Sequence, residues 1–373
     1  MDVTISDEQQ AITELAGRIL GESLPPERLR EIEAEPEWFA RDVWGQLAKA
    51  DLLGLCLPEQ YGGGGYGMFE AALLLEQVGR AVAPVPLLAT LVLGAMPMAE
   101  FGSDAQRAAF LPAVAAGDAV LTAALVEPGD ALPPDVPTTS ATREGDRFRI
   151  DGEKVLVPAA HLARSILVPA ATGGGQSAVF LIDPSADGVT LERRIAVNLE
   201  PMSTLHLDGV VVEGDALLGG ESDGAAIVTW ITERALAGLC AIQAGVCEAA
   251  LRTTARYTSE REQFGSKIAT FQAVAHRAAD AYIDTQAVRL TAWQAAWQLA
   301  EGRPAGEALA IAKFWAAEGA ERVVHAAQHL HGGVGMDVDY PVHRCFRWAK
   351  QVELSLGGGT THLRRLGDLI ASA

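Results

Sequence analysis

Four short strings carry residue types that could do chemistry. In "WITERALAGLCAIQAG", Glu233 is flanked by Trp230, Ile231, Ala235 and Leu236, an apolar setting able to raise a carboxylate's pKa and suit it to general-base work. The same Glu233-Arg234 pair is equally an ordinary ion pair in the first turns of a solvated helix. In "REQFG", Arg261 supplies a planar, permanently charged fork that fits a pyrophosphate, and Phe264 an aromatic face that fits an adenine. A surface arginine and a core phenylalanine at a helix end would give the same string. In "HLHGGVG", a helix stop explains one glycine, whereas close backbone approach to a ligand explains Gly332, Gly333 and Gly335 together. In "LGGGTTHLRRL", no strand of the doubly wound type precedes the glycines and no lysine follows at P-loop spacing, so a phosphate loop is a poor reading. Gly357-Gly358-Gly359 instead let the chain turn into a helix through Ile370, capped by Thr360 or Thr361. His325 and His329, four apart with Glu321 one turn earlier, lack a third ligand at recognisable spacing, and no metal is expected.

Three zones must position these strings. Residues 1–120 read as an N-terminal α-helical domain: Ser6 and Gln9 form a capping-box signature ahead of Ile12, Leu15 and Ile19, and Pro25-Pro26 break that helix. A second helix is expected over "WFARDVWGQLAKADLLG", then the glycine-rich loop "PEQYGGGGYG", then a helix from Met68. Residues 121–217 change to short strands punctuated by Glu144-Gly145-Asp146, Gly173-Gly174-Gly175 and Asp208-Gly209, the pattern of a small antiparallel β-domain of sandwich or barrel-like form. Residues 218–373 return to long helices. Between 271 and 300, one apolar stripe runs through Phe271, Val274, Ala278, Ala281 and Val288, and another through Ile283, Leu290, Trp293 and Trp297. A helix with two apolar faces is packed on both sides, as in a four-helix bundle whose outer faces meet other subunits. The fold class is therefore mostly α with a central small β-domain.

Composition narrows the partners. With 29 basic against 48 acidic residues the formal charge is −19, which disfavours nucleic acid and anionic membrane surfaces. The start of the chain lacks a basic stretch followed by an apolar core, and no run of about 18 apolar residues is evident, so a soluble, cytoplasmic protein is expected. Cys56, Cys240, Cys247 and Cys345 lack metal or disulfide spacing and read as buried apolar residues in a reducing compartment.

The order of α-domain, β-domain and α-bundle, with R-x-x-F-G, F-Q, H-G-G-x-G and a terminal G-G-T, resembles the acyl-CoA dehydrogenase family over nearly the whole chain. The resemblance implies a FAD-dependent enzyme that desaturates an acyl-CoA thioester, with electron-transfer flavoprotein as electron acceptor. It implies that Arg261, Phe264, Gln272, His329, Gly332, Gly333 and Thr360 contact FAD, in part across a subunit boundary, in a homotetramer or an α2β2 heterotetramer. The ending "HLHGGVG…DYPVHR" further resembles subunits of actinobacterial α2β2 members that shorten sterol side chains.

The chain departs from the family pattern at four places. His329 replaces a glutamine. Val126-Glu127-Pro128 and Leu156-Val157-Pro158 stand where the family has Thr-Glu-Pro and Trp-x-Thr, so two hydroxyl donors to the flavin ring are gone. Gly358 stands where most members carry the catalytic glutamate, and a glycine takes no proton. A branch acting on branched or long acyl chains places that glutamate in a Glu-Arg string 25–30 residues before R-x-x-F-G, which here is Glu233-Arg234. Glu233 is thus the expected base, Arg234 lines the CoA channel or orients it, and the Gly358 amide still binds the thioester carbonyl. A non-catalytic partner subunit, or a branch that oxidises nitroalkanes or hydroxylates amines, are the alternatives.

Overall fold

The structure, a computed structural model, describes residues 4–372. Helices α1 (Asp7–Ser23), α2 (Pro26–Ala34), α3 (Arg41–Lys49), α4 (Met68–Ala81), α5 (Met96–Phe101) and α6 (Asp104–Ala115) come first. Strands β1 (Val120–Ala123), β2 (Ser140–Glu144), β3 (Arg147–Pro158), β4 (Ala163–Gly173), β5 (Gln176–Ile182), β6 (Val189–Ile195), β7 (Pro201–Glu213) and β8 (Leu217–Leu218) follow. The chain then runs through α7 (Gly224–Glu260), a hairpin of β9 (Glu262–Gln263) and β10 (Ser266–Lys267), and α8 (Gln272–Ala300). Helices α9 (Gly306–Phe314), α10 (Ala320–His331), α11 (Val342–Leu354) and α12 (Gly359–Ala371) complete it. The mostly helical class with a central β-region is the observed one.

Several local signals act as read. Ser6 accepts from the Gln9 amide while the Gln9 side chain accepts from the Ser6 amide, closing the capping box of α1. Ser103 and Gln106 do the same for α6. The second helix ends at Lys49 rather than Gly54, because Asp51 takes a positive φ of 57°. The glycine-rich loop spends its amides on itself: Gly63, Gly64, Gly65 and Tyr66 donate to the carbonyls of Pro58, Gly54, Leu57 and Leu55. A Cβ on Gly63 would stand 2.0 Å from the Leu57 carbonyl oxygen, so this loop is glycine-rich because it folds tightly on its own backbone.

One compact unit contains the segment up to Glu33, Met68–Ala83 and Leu236 onward. Its centre is the approach of α4 to α7, where a Cβ on Gly79 would lie 1.9 Å from the Ile242 carbonyl oxygen and one on Gly245 would lie 1.9 Å from that of Glu76. Two glycines facing each other's helix bring the backbones together and leave no room for any side chain. Around this seam Arg289 of α8 pairs with Glu76 at 2.8 Å and Glu248 at 3.0 Å, and the Trp293 indole N–H donates to Glu76 at 2.9 Å. The first stripe of α8 is buried at Ala281 and Val288; from the second, Trp293 is held within the chain, while Ile283 and Leu290 stay exposed.

The second unit holds Ala34–Gly67 and Pro84–Ala235. Its eight-stranded sheet runs β6-β7-β3-β2-β4-β5-β8, with β1 joined to β4. Two-residue turns at Gly145-Asp146 and Gly174-Gly175 make β2–β3 and β4–β5 antiparallel, as the punctuation predicts. β1 runs parallel to β4 because it enters from a helix and not through a hairpin. Phe148 and Phe180, ring centres 5.1 Å apart, sit in a core with Ile150, Ile166, Val168, Leu205 and Leu207.

Candidate active site

Glu233 and Arg234 lie in the first turns of α7, both half-buried. Ile231, Ala235 and Leu236 are buried, so the apolar neighbours face the core and the carboxylate sits at its margin. The Arg234 guanidinium stacks 3.5 Å from the centre of the Trp230 ring and donates to the Trp230 carbonyl oxygen. Burial lowers its pKa to about 10, against the pull of Glu233 and Glu100, and it stays a cation at neutral pH. Among the described residues no ion pair joins Glu233 to a cation within contact distance.

The β-wall is strained where the family motif departs. Leu156 has φ +55° and is 59% exposed, a conformation and an exposure that a large apolar side chain rarely combines. Val126 is buried and bridges to Val155, and the Pro158 carbonyl accepts from the Thr122 hydroxyl. Sequence reasoning missed what holds this wall. The Glu127 carboxylate, buried beside Val126, accepts from the Lys154 ammonium at 2.7 Å, the Thr138 amide and hydroxyl at 2.6 and 2.7 Å, and the Thr139 amide at 2.9 Å. Burial alone would raise its pKa, but the Lys154, Thr138 and Thr139 hydrogen bonds outweigh that and hold it at about 2. The strings "VEP" and "GEKVLVP" show a glutamate and a lysine in strand-like segments, but nothing in their spacing pairs the two.

The R-x-x-F-G string forms the β9–β10 hairpin. Phe264 and Gly265, with φ +55° and +76°, are the two turn residues, and Phe264 is 95% exposed, its ring edge-on to that of Phe271 at 6.3 Å. An aromatic residue in the left-handed region and almost wholly in water is a costly arrangement for a folded chain alone. Arg261 and Gln272 are exposed too. The alternative of a core phenylalanine is excluded.

At the end of α10 the sequence-predicted residues converge in part. His329 and Gly332 line one open groove of about 530 Å³ with Arg277, His325, Gln328 and Met336. Gly332 has φ +60° and ψ −138°, a backbone shape open to glycine, while Cβ atoms on Gly332 and Gly333 would meet nothing within 4 Å. The next glycine, Gly335, is packed: a Cβ there would lie 3.1 Å from the Gln328 carbonyl oxygen. Tyr257 stacks on the buried His331 ring at 4.5 Å, tying the end of α7 to this turn, a contact the motifs did not reveal. His325 pairs with Glu321 at 3.7 Å.

The last glycines fold otherwise than the capping expectation. Gly358 is the N-cap of α12 and no side chain caps it; Thr360 and Thr361 lie inside the first turn, Thr360 exposed. Leu356 and Gly357 take φ +52° and +87°, which turns the chain, and the Gly358 amide stands at the positive end of a helix.

The arrangement has known counterparts. Residues 6–118 match the acyl-CoA dehydrogenase N-terminal domain and residues 222–370 the acyl-CoA dehydrogenase C-terminal domain. The acyl-CoA dehydrogenase FadE27 of Mycobacterium tuberculosis is 37% identical over 380 residues, covering 100% of this chain and 99% of that protein. The ChsE4–ChsE5 complex of Mycobacterium tuberculosis contains a chain 37% identical, with a TM-score of 0.94 and 100% of both chains covered. A variant of the Tcur3481–Tcur3483 steroid ACAD is 42% identical, with a TM-score of 0.90 and 99% of both chains covered. The chain belongs to the acyl-CoA dehydrogenase family of oxidoreductases.

Helix α7 is long and apolar enough, by length and composition, to cross a membrane, and 67% of its apolar window is buried inside the protein, as in a core helix. Among the described residues no cysteine forms a disulfide; Cys240, Cys247 and Cys345 are buried, and Cys56 is half-buried with its thiol 3.2 Å from the Gly67 carbonyl.

Proposed function

We propose that this chain carries out FAD-dependent α,β-dehydrogenation of an acyl-CoA, with Glu233 as the base that takes the α-proton. The observation that carries the assignment is a half-buried carboxylate, unpaired with any cation among the described residues, in the Glu-Arg string that precedes R-x-x-F-G, while the usual glutamate position is Gly358. Loss of the proton from Cα leaves the electron pair on a carbon next to the thioester carbonyl. A donor aimed at that oxygen, the Gly358 amide, lowers the energy of the developing charge. Arg234, held as a cation, lines the path of the CoA group.

The residues present fit FAD. Phe264 is an aromatic face in water, Arg261 and Arg277 are cations, and His329 and Gln328 offer hydrogen bonds along an open groove, which suits an adenosine diphosphate. When bound, FAD supplies the acceptor for the hydride that leaves Cβ. Arg261, Phe264, Gln272, His329, Gly332, Gly333 and Thr360 would hold it, while Val126 and Leu156 would wall its ring and backbone groups replace the lost hydroxyls. Electron-transfer flavoprotein would reoxidise it.

We further propose the three-domain division at residues 120 and 217, cytoplasmic residence and an even-numbered assembly. The Phe264 and α8 exposures favour contacts across a subunit boundary. Likeness to a steroid ACAD and to the ChsE4–ChsE5 complex supports an α2β2 heterotetramer acting on a sterol side chain over a homotetramer. A second reading, a subunit without its own turnover, is favoured by one observation, the loss of hydroxyls at Val126 and Pro158. The flavin-loaded protein, with a partner chain if loading needs one, decides between them: bleaching by an acyl-CoA that Glu233→Gln abolishes supports the first, and bleaching that Glu233→Gln leaves unchanged sinks it.

A further inference from the structure

Lys313, on α9, is fully buried and has no carboxylate partner at contact distance among the described residues. Its ammonium donates to the carbonyl oxygens of Val352 at 3.0 Å, Glu353 at 2.9 Å and Gly357 at 2.8 Å. An ammonium has three donors, and all three are used. Two of the acceptors are carbonyls in the last turn of α11, which have no partner within their own helix, and the third lies in the turn that leads into α12.

We infer that Lys313 is a positioning residue for the reacting end of the substrate, because its grip on the Gly357 carbonyl fixes the direction of the Gly358 amide. This rests on the reading in which that amide binds the thioester carbonyl. The Gly357 C=O and the Gly358 N–H belong to one planar trans peptide unit and point in opposite directions. Holding the oxygen toward the buried ammonium therefore turns the N–H away from it.

The turn needs such a hold. Leu356 is left-handed at φ +52°, a strained conformation for a residue other than glycine that persists only where the surroundings impose it. The His362 ring imposes it from the other side, its Nε2–H donating to the Leu356 carbonyl at 2.8 Å. Gly359 is confined as well, since a Cβ there would lie 2.6 Å from a Glu318 carboxylate oxygen. Lys313, His362 and Glu318 thus enclose the segment 356–359, and the ammonium is the group that grips the peptide carrying the amide. Burial lowers the Lys313 pKa to about 8, and the three carbonyls compensate the lost hydration of the charge.

The test is infrared spectroscopy of the flavin-loaded enzyme, with its partner chain if loading needs one. The probe is an acyl-CoA isotope-labelled at the thioester carbonyl, with both α-hydrogens replaced by methyl groups. In the wild-type protein the bound carbonyl band is expected to shift to lower frequency. In Lys313→Met the probe should still bind, most of that shift should be lost, and kcat with a normal substrate should fall on the order of 10²-fold with KM much less affected. Lys313→Gln, which keeps two donors, should give an intermediate shift and carries the comparison if Lys313→Met does not fold. A full shift in a folded variant overturns the role of Lys313. No shift in the wild-type protein instead removes the Gly358 reading, and this inference with it.

Discussion

The guanidinium of Arg234 lies face-on to the indole of Trp230, 3.5 Å from its centre, and donates back to the Trp230 carbonyl oxygen at 3.2 Å. Arg234 is thereby folded along its own helix, one turn toward the N-terminus, and among the described residues no cation makes an ion pair with the adjacent Glu233 carboxylate. A carboxylate that makes no direct ion pair keeps its oxygens open to a substrate proton. Glu233→Gln keeps the shape and removes the acceptor. Exchange of the α-hydrogen of a bound acyl-CoA with deuterated solvent, followed by nuclear magnetic resonance, should fall by about 10²–10⁴-fold while the thioester still binds. Undiminished exchange would assign the base elsewhere.

Exposure of Phe264 and Arg261 separates cofactor retention from stability. Neither side chain supports the core, so Phe264→Ala and Arg261→Ala should shift the melting of the flavin-free protein little, within about 0.5 kcal/mol. Hydrogen bonds to a charged group contribute about 1.5–3 kcal/mol, so Arg261→Ala should weaken flavin retention by roughly ten- to a hundredfold. The ratio of flavin to protein absorbance after gel filtration reads it, and flavin-free variants that melt well below the flavin-free wild-type protein would contradict the prediction.

How far the sequence leads depends on whether a property is local. Capping boxes, hairpin glycines and helix periods are local, and Ser6, Gly145 and Val288 behave as their neighbours dictate. The R-x-x-F-G string was legible as chemistry, but not that Phe264 stands in water, because exposure is a property of what the rest of the chain leaves uncovered. Thr360 looked like a cap since Thr is a cap-former, yet Gly358 takes that position, because Leu356 and Gly357 use two left-handed residues to set where the helix begins. Glu127 with Lys154, and Lys313 with Gly357, pair residues 27 and 44 positions apart through packing of strands and helices. No periodicity or spacing announces such pairs.

The Glu127–Lys154 pair gives the β-region an acid-sensitive clamp. The folded-state pKa of Glu127, about 2, is below the ordinary 4.5, so its contribution to stability is fully present above about pH 4.5 and is lost as pH falls toward 2. The difference corresponds to about 3 kcal/mol at neutral pH. Glu127→Gln should therefore lower stability by that order in neutral denaturant titrations and flatten the loss between pH 4.5 and 2. An acid limb as steep as in the wild-type protein would place the sensitive carboxylate somewhere else.

Gly358 offers the converse experiment to Glu233→Gln. Its φ of −85° and ψ of −177° suit any residue, and a Cβ there would meet only the Glu353 carbonyl oxygen, at 3.9 Å. Gly358→Glu should therefore fold. It would put a carboxylate at the position most of the family uses for its base, though the positive end of α12 favours its ionised form and makes it a weaker base than one in a dry pocket. Added to Glu233→Gln, it should recover α-hydrogen exchange about tenfold over the single variant, well short of the wild-type rate. A double variant as inert as Glu233→Gln, though folded and still able to bind the thioester, would mean that the turn at 356–359 no longer presents its side chains to Cα and keeps only its backbone for the carbonyl.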